Sequence, residues 1–182
     1  FGSVVMAGYA AAVKIDSFAY MPVQDFGNAF STFIAQNYGA GKSERIRKGI
    51  RSASFAVVCF CVAAGAIVCV LAEPLMEIFV DAADTKIIAA GVNYLRTVAS
   101  CYIGIGFLFL FYGFYRAIHR PGFSVVLTVF SLGTRVILAY LLSAIPQVGV
   151  SGIWLAIPIG WFLADLAGII GFVFFRRRNR LF

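Results

Sequence analysis

Long apolar stretches separated by short charged clusters set the pattern of this chain. Five stretches stand out, at residues 4–37, 52–72, 87–115, 121–143 and 149–175, each long enough for a helix to cross a bilayer, which takes roughly 20 residues. The clusters between them alternate in sign. Lys42, Arg45, Arg47, Lys48 and Arg51 follow the first stretch; Glu73, Glu77, Asp81 and Asp84, against Lys86 alone, follow the second. Arg116, His119 and Arg120 follow the third, a neutral turn at Pro146-Gln147 the fourth, and Arg176, Arg177, Arg178 and Arg180 the fifth. An excess of Lys and Arg marks cytoplasmic loops. Residues 42–51, 116–120 and 176–180 are therefore predicted inside and residues 73–86 outside, with the C-terminal tail, 176–182, cytoplasmic. The pattern predicts an all-α integral membrane protein whose partner on every side is the lipid bilayer.

The first stretch departs from the apolar pattern. It carries Gln24, Asp25, Asn28, Thr32 and Gln36 before breaking at Gly39-Ala40-Gly41. At about 100° per residue, Asp25, Asn28, Thr32 and Gln36 share one narrow helix face, which Lys14 joins if the kink expected at Pro22 is small. Two readings stay open: glue between helices through hydrogen bonds, or the lining of a water-filled cavity, with Asp25 and Asn28 foremost. A polar stripe that crosses a membrane toward a positive inner loop is what a solute pathway needs. Lys14 and Asp16 are expected to reach an outer vestibule. Pro22 and, in the fifth stretch, Pro158 are the hinge candidates.

The other stretches are plainer. The second has no ionisable group and reads as packing. Asp84 is placed to cap the third, Arg96 to snorkel outward, and Gly91, Gly104, Gly106 and Gly113 to admit close neighbours. Leu75, Met76, Ile78, Phe79 and Val80 are expected along the membrane interface. Arg135 falls near mid-depth in the fourth stretch and Asp165 in the fifth, and their depths predict a structural ion pair. The rival reading has Asp165 face the cavity as a cation ligand. A charge alone at that depth costs roughly 2.5–3.5 kcal/mol, so both need a partner or water.

Composition sharpens the class. Apolar residues make up 62% and charged residues 13%, far from a soluble domain. The net charge of +7 sits in short runs between apolar spans, which argues against nucleic acid. Cys59, Cys61, Cys69 and Cys101 lie inside those spans without metal-ligand spacing and read as small buried hydrophobes, so no metal site is expected. His119, the only histidine, is predicted to be solvated. Without a nucleophile–base pair at membrane depth, an enzyme is not expected. The chain starts at Phe1, so a fragment or a processed C-terminal portion is expected.

Gln36-Asn37-Tyr38-Gly39-Ala40-Gly41, followed by Lys42, Arg45 and Arg47, resembles the turn that ends an out-to-in helix in multidrug and toxic compound extrusion transporters. Tyr112-Gly113-Phe114-Tyr115-Arg116-Ala117 with Arg120-Pro121 is similar to that family's junction of tenth and eleventh helices. Ser131-Leu132-Gly133-Thr134-Arg135, Gly149-Val150-Ser151-Gly152-Ile153-Trp154 and Ile157-Pro158-Ile159-Gly160-Trp161 resemble its last two helices. The resemblance implies that the five spans are the eighth to twelfth of twelve, most of the C-terminal six-helix bundle, with the missing N-terminal helices as partner. It implies a plasma (inner) membrane antiporter that exports amphipathic, often cationic, small organic molecules in exchange for Na⁺ or H⁺, with no other cofactor. Relatives with a sodium site in this half use acids on the seventh and tenth helices. Residues 87–115 contain no acid, so coupling here is expected at Asp25 or Asp165, or in the other half. A lipid-linked saccharide flippase would want a basic cavity, to which only Lys14, Arg96 and Arg135 could contribute. A scaffold or an intramembrane enzyme is the remaining alternative.

Overall fold

The computed structural model describes residues 2–179, with side chains described through residue 175. Every regular element among them is a helix: α1 (Ser3–Gly39), α2 (Ser43–Val70), α3 (Ala72–Glu77), α4 (Thr85–Ala99), α5 (Tyr102–Ala117), α6 (Pro121–Ser143) and α7 (Val150–Asn179). By length and apolarity three of them, α2, α6 and α7, suit a membrane crossing, and α4 with α5 makes a fourth if the bent pair is one span. At 37 residues α1 is long enough, but its polar side chains dilute its hydropathy. The helix runs through Pro22 without a break, as α7 does through Pro158. The predicted basic tail lies beyond the described side chains.

The largest departure from the predicted spans is in the third, which is two helices bent by 55° at Ser100–Cys101. There the backbone ladder slips from the α spacing to a tighter one: Ser100 N–H bonds to the Arg96 carbonyl at 3.4 Å and Cys101 N–H to that of Val98 at 3.0 Å. The Ser100 hydroxyl takes the Thr97 carbonyl at 2.9 Å, which holds the break. The second span also starts early. Its helix begins at Ser43, so Arg45, Arg47, Lys48 and Arg51 lie within helix rather than loop. The connection shrinks to a turn on Gly41, whose φ of 66° suits glycine. Met76 is not interfacial: it is fully buried, its thioether against Gly91. Cys59 is exposed, unlike the buried Cys61. Asp84 sits at the cap of α4 without a side-chain capping bond. Arg96 is exposed, and its Nε donates to the Cys69 carbonyl at 3.3 Å, closing the end of α2.

Small residues set the packing. Gly8 of α1 lies against Ile87 and Gly91, and further along Gly27 lies against Phe109, so α1 runs parallel to the α4–α5 unit. A Cβ at Gly113 would stand 2.5 Å from the Gly27 carbonyl oxygen, which only backbone contact allows. In the α6–α7 hairpin Gly152 meets Leu142, Gly160 meets Ser131 and Gly171 meets Phe123, an antiparallel register. Helix α5 lies between α1 and α7 and is buried or half-buried at every position but Arg116. The outer faces carry Phe55, Val70, Val129, Tyr140 and Ile170, the exposed apolar surface that lipid solvates.

Candidate functional site: a buried carboxylate behind a polar face

Ala12, Asp16, Val23, Gly27, Phe30 and Ile34 recur at helical spacing along α1, and all six are buried. Asp16 is the exception in chemistry, a carboxylate only 5% exposed on a face otherwise apolar. Two phenols hold it. Tyr102 Oη donates to Oδ1 at 2.6 Å and Tyr94 Oη to Oδ2 at 3.0 Å. Tyr94 belongs to α4 and Tyr102 opens α5. In one straight helix their positions would stand about 12 Å apart along the axis. The bend at Ser100–Cys101 turns both rings onto one carboxylate.

An aromatic lid covers the site. Tyr9 and Trp154 stack at 5.2 Å, and each meets the Tyr94 ring edge-on at 5.2 Å. Helices α1, α4 and α7 thereby meet over Asp16. A carboxylate offers about four lone-pair positions, of which two are occupied here. One carboxylate ringed by phenolic oxygens can take up a proton or a single small cation; either replaces one charge without rebuilding the core.

The predicted stripe lies on the side of α1 that the described helices leave uncovered. Lys14, Gln24, Asp25, Asn28, Thr32 and Gln36 are all exposed on the open side of α1. Asn28 Oδ1 accepts from Arg116 Nη2 at 2.8 Å, which ties the stripe to the basic end of α5. His119 is exposed in the turn after α5, with φ of 58°.

Arg135 and Asp165 do not form the predicted ion pair; among the described residues the one salt bridge is Lys48–Glu44 at 3.2 Å. The hairpin register explains this. Arg135 lies level with Gly160, five residues from Asp165, or about 7.5 Å along the axis. Depth counted from the two basic ends missed that offset. Arg135 Nε and Asp165 Oδ1 are both buried without a hydrogen-bond partner.

Asp16 does not reach an outer vestibule with Lys14, as the sequence predicts; it is buried. Helical phase held the signal: Asp16 lies opposite the stripe, in line with Ala12, Val23 and Gly27, so it had to be buried and partnered. Its partners carried none, because tyrosines near a membrane surface read as interfacial. A concavity of about 660 Å³ at the acidic end, between Glu73, Glu77, Asn93 and Arg96, contains none of these groups.

Fold and site define a multi-pass helical membrane protein with a polar face on one side of its lead helix and a caged carboxylate on the other. The MatE family model matches residues 1–141, and the chain belongs to that family, whose members are transporters rather than enzymes. It is 26% identical over 164 residues to the FAD transporter of Shewanella oneidensis, covering 89% of this chain and 35% of the relative. It is 26% identical over 172 residues to the probable multidrug resistance protein YpnP of Bacillus subtilis, covering 93% and 38%. Its fold matches the MATE transporter ClbM in complex with Rb⁺ with a TM-score of 0.82 at 23% identity, over 91% of this chain and 38% of that one. An outward-facing MATE family multidrug transporter gives a TM-score of 0.87 at 22% identity, over 99% and 40%. The chain thus spans little more than a third of the length of the relatives it matches.

Proposed function

We propose that this chain is the C-terminal lobe of a secondary active exporter in which the α1 stripe lines the substrate path and Asp16 holds the coupling ion. The observation that carries the reading is the two-sidedness of α1. Its polar face is left open by its own bundle, while the opposite face carries one caged carboxylate 5% exposed. An open polar face on a membrane helix needs water or a partner lobe, and a path between two lobes provides both. Na⁺ or H⁺ would be the coupling ion, and the Rb⁺ complex of ClbM is in keeping with a monovalent cation. The substrates would be amphipathic organic compounds, exported from the cytoplasm, with Asp25 as a contact for cationic ones.

The test is efflux by the full-length transporter in cells and in proteoliposomes with an imposed Na⁺ or H⁺ gradient. Asp16→Asn is expected to uncouple transport from the gradient, lowering gradient-driven efflux by about a hundredfold at equal membrane abundance. Asp25→Asn is expected to weaken uptake of a cationic dye while the response to the gradient persists. Gradient-driven efflux at the native rate by the Asp16→Asn protein would sink the coupling assignment. One observation favours a second substrate reading: Lys14 and Arg116 flank the same open face, and one relative is an FAD transporter. Competition of dye efflux by FAD would shift the substrate class to anionic aromatics.

A further inference from the structure

Helices α1 and α2 run antiparallel, and a groove of about 690 Å³ lies between them at the basic end of α2. Phe26, Phe30 and Phe33 of α1 line it, and α2 contributes the small residues Gly49, Ala53 and Ala56. The Phe33 ring rests on Gly49, where a side chain would displace it. Away from the basic end the groove runs on into a second concavity of about 240 Å³, which shares Phe26 and Ala56 and reaches Pro22 and Phe60. Polarity is confined to one end. Arg45, Lys48 and Ser52 line the first part, the continuation is wholly apolar, and no acid lines either. Lys48 and Phe60 stand twelve residues apart on α2, or about 18 Å, close to half of the ~30 Å hydrocarbon thickness. At 28 residues α2 is about 42 Å long, so its basic first turns reach past the hydrocarbon into the headgroup layer.

We propose that this groove seats one anionic phospholipid, with its phosphate between Arg45 and Lys48 and one acyl chain laid along α1 and α2 as far as Phe60. Two cations and a hydroxyl without an acid beside them suit a phosphodiester, and basic pockets between membrane helices bind such headgroups. Lys48 is paired with Glu44 at 3.2 Å, but both are exposed, and a phosphate can take over an exposed bridge of that kind. The tail has a surface to cover: Phe26, Phe33 and Phe60 are 39%, 40% and 38% exposed. A zwitterionic lipid offers the same tail but cancels its phosphate with its own cation, so the charge of the rim selects against it. Arg47 and Arg51 are exposed on the same helix, yet at about 100° per residue they turn away from the groove, and neither lines it. Diffuse attraction to an anionic surface would use all four cations alike; a seat uses Arg45 and Lys48. A lipid held there braces α2 against α1, the helix that carries the polar stripe, and stabilises the folded protein by mass action.

The experiment follows melting of the full-length transporter, purified in detergent, as dioleoyl phosphatidylglycerol or dioleoyl phosphatidylcholine is titrated in. Phosphatidylglycerol is expected to stabilise at about tenfold lower mole fraction than phosphatidylcholine. Arg45→Gln with Lys48→Gln should erase that preference. Arg47→Gln with Arg51→Gln removes the same charge from the other side of α2 and should leave the preference within about twofold of native. Equal losses in the two pairs, or no preference in the native protein, would overturn the seat. Glycerol phosphate at matched concentration is expected to stabilise nothing; an effect equal to that of phosphatidylglycerol would make the groove an anion site and overturn the lipid. A second measurement needs no change of charge and so stands even if the charge variants do not fold. Phe60→Trp puts a reporter at the tail end, read as the difference from the native protein's tryptophan signal. Brominated phosphatidylglycerol should quench it at about tenfold lower mole fraction than brominated phosphatidylcholine. Equal quenching by the two lipids overturns the headgroup selection, and quenching by neither assigns the groove to other helices of the complete transporter.

Discussion

The two faces of α1 differ in how each holds its polar side chains. The open face carries Lys14, Asp25, Asn28, Thr32 and Gln36, and the packed face holds Asp16 in line with Ala12, Val23 and Gly27. Both faces contain a carboxylate, yet their surroundings differ. Asp16 is gripped by two phenols within 3.0 Å, whereas Asp25 is exposed and, among the described residues, in no salt bridge. The packed face is therefore a place where one charge is held in fixed geometry, and the open face one where many weak polar groups meet a variable partner. Fixed geometry suits a small ion, and variable contact suits a range of organic solutes. A substitution on the packed face should disturb fold and coupling together; one on the open face should disturb transport alone.

The largest effect should come from breaking the contact that fixes the packed face. Gly113→Leu puts a side chain where even a Cβ meets the Gly27 carbonyl oxygen at 2.5 Å, with the Ser31 Cβ at 3.4 Å and no flexible side-chain end to yield. Overpacking of this kind costs about 1–3 kcal/mol or more. Folded yield of the full-length protein, followed by fluorescence-detected gel filtration, is expected to collapse. Gly133→Leu, where nothing lies within 4 Å, should leave the yield near native. Equal losses in the two would mean that glycine spacing does not hold α1 to α5.

Next in size are the phenols. Tyr102→Phe and Tyr94→Phe keep the rings and remove one hydrogen bond each from Asp16. A bond to a charged group contributes about 1.5–3 kcal/mol, so each should lower thermal stability and reduce ion-coupled efflux by about tenfold. The bond from Tyr102, at 2.6 Å against 3.0 Å, should matter more. A Tyr102→Phe protein with native melting temperature and native ion response would reduce the cage to incidental contact.

How much of this was legible in the sequence differs between the same two faces. The stripe is legible as a face because its residues share one helical phase, and the membrane class follows from long apolar stretches and alternating loop charge. Phase alone could not say which way that face points, since in lipid both orientations can bury a polar stripe, against a sister helix or against a water-filled path. The bend that makes the Asp16 cage was not legible, because Ser100-Cys101 is an unremarkable pair inside an apolar run and its effect is tertiary: it turns Tyr94 and Tyr102 onto one carboxylate. Arg135 and Asp165 were found as charges at depth, but their separation depends on the glycine register of α6 on α7, which loop counting does not resolve.

The smallest expected effect tests the open face where it is best defined. Asn28 Oδ1 accepts a 2.8 Å hydrogen bond from Arg116 Nη2, and both residues are exposed. An exposed contact of this kind contributes about 0–1 kcal/mol, because water can replace either partner. Asn28→Ala should therefore leave the melting temperature within about two degrees of native. If the stripe lines a path, the same change frees the Arg116 guanidinium into that path and removes an amide from it. Efflux of cationic dyes should then fall by about three- to fivefold, through added positive charge, while an anionic aromatic solute is moved no worse or somewhat better. If the stripe instead glues α1 to a neighbouring helix in the complete protein, stability should fall and both solutes should be affected alike, since a loosened interface does not discriminate by charge. Measuring melting and the two efflux rates on one preparation separates these outcomes: a charge-dependent change at constant stability supports the path, and a charge-blind change with lowered stability assigns the face to packing.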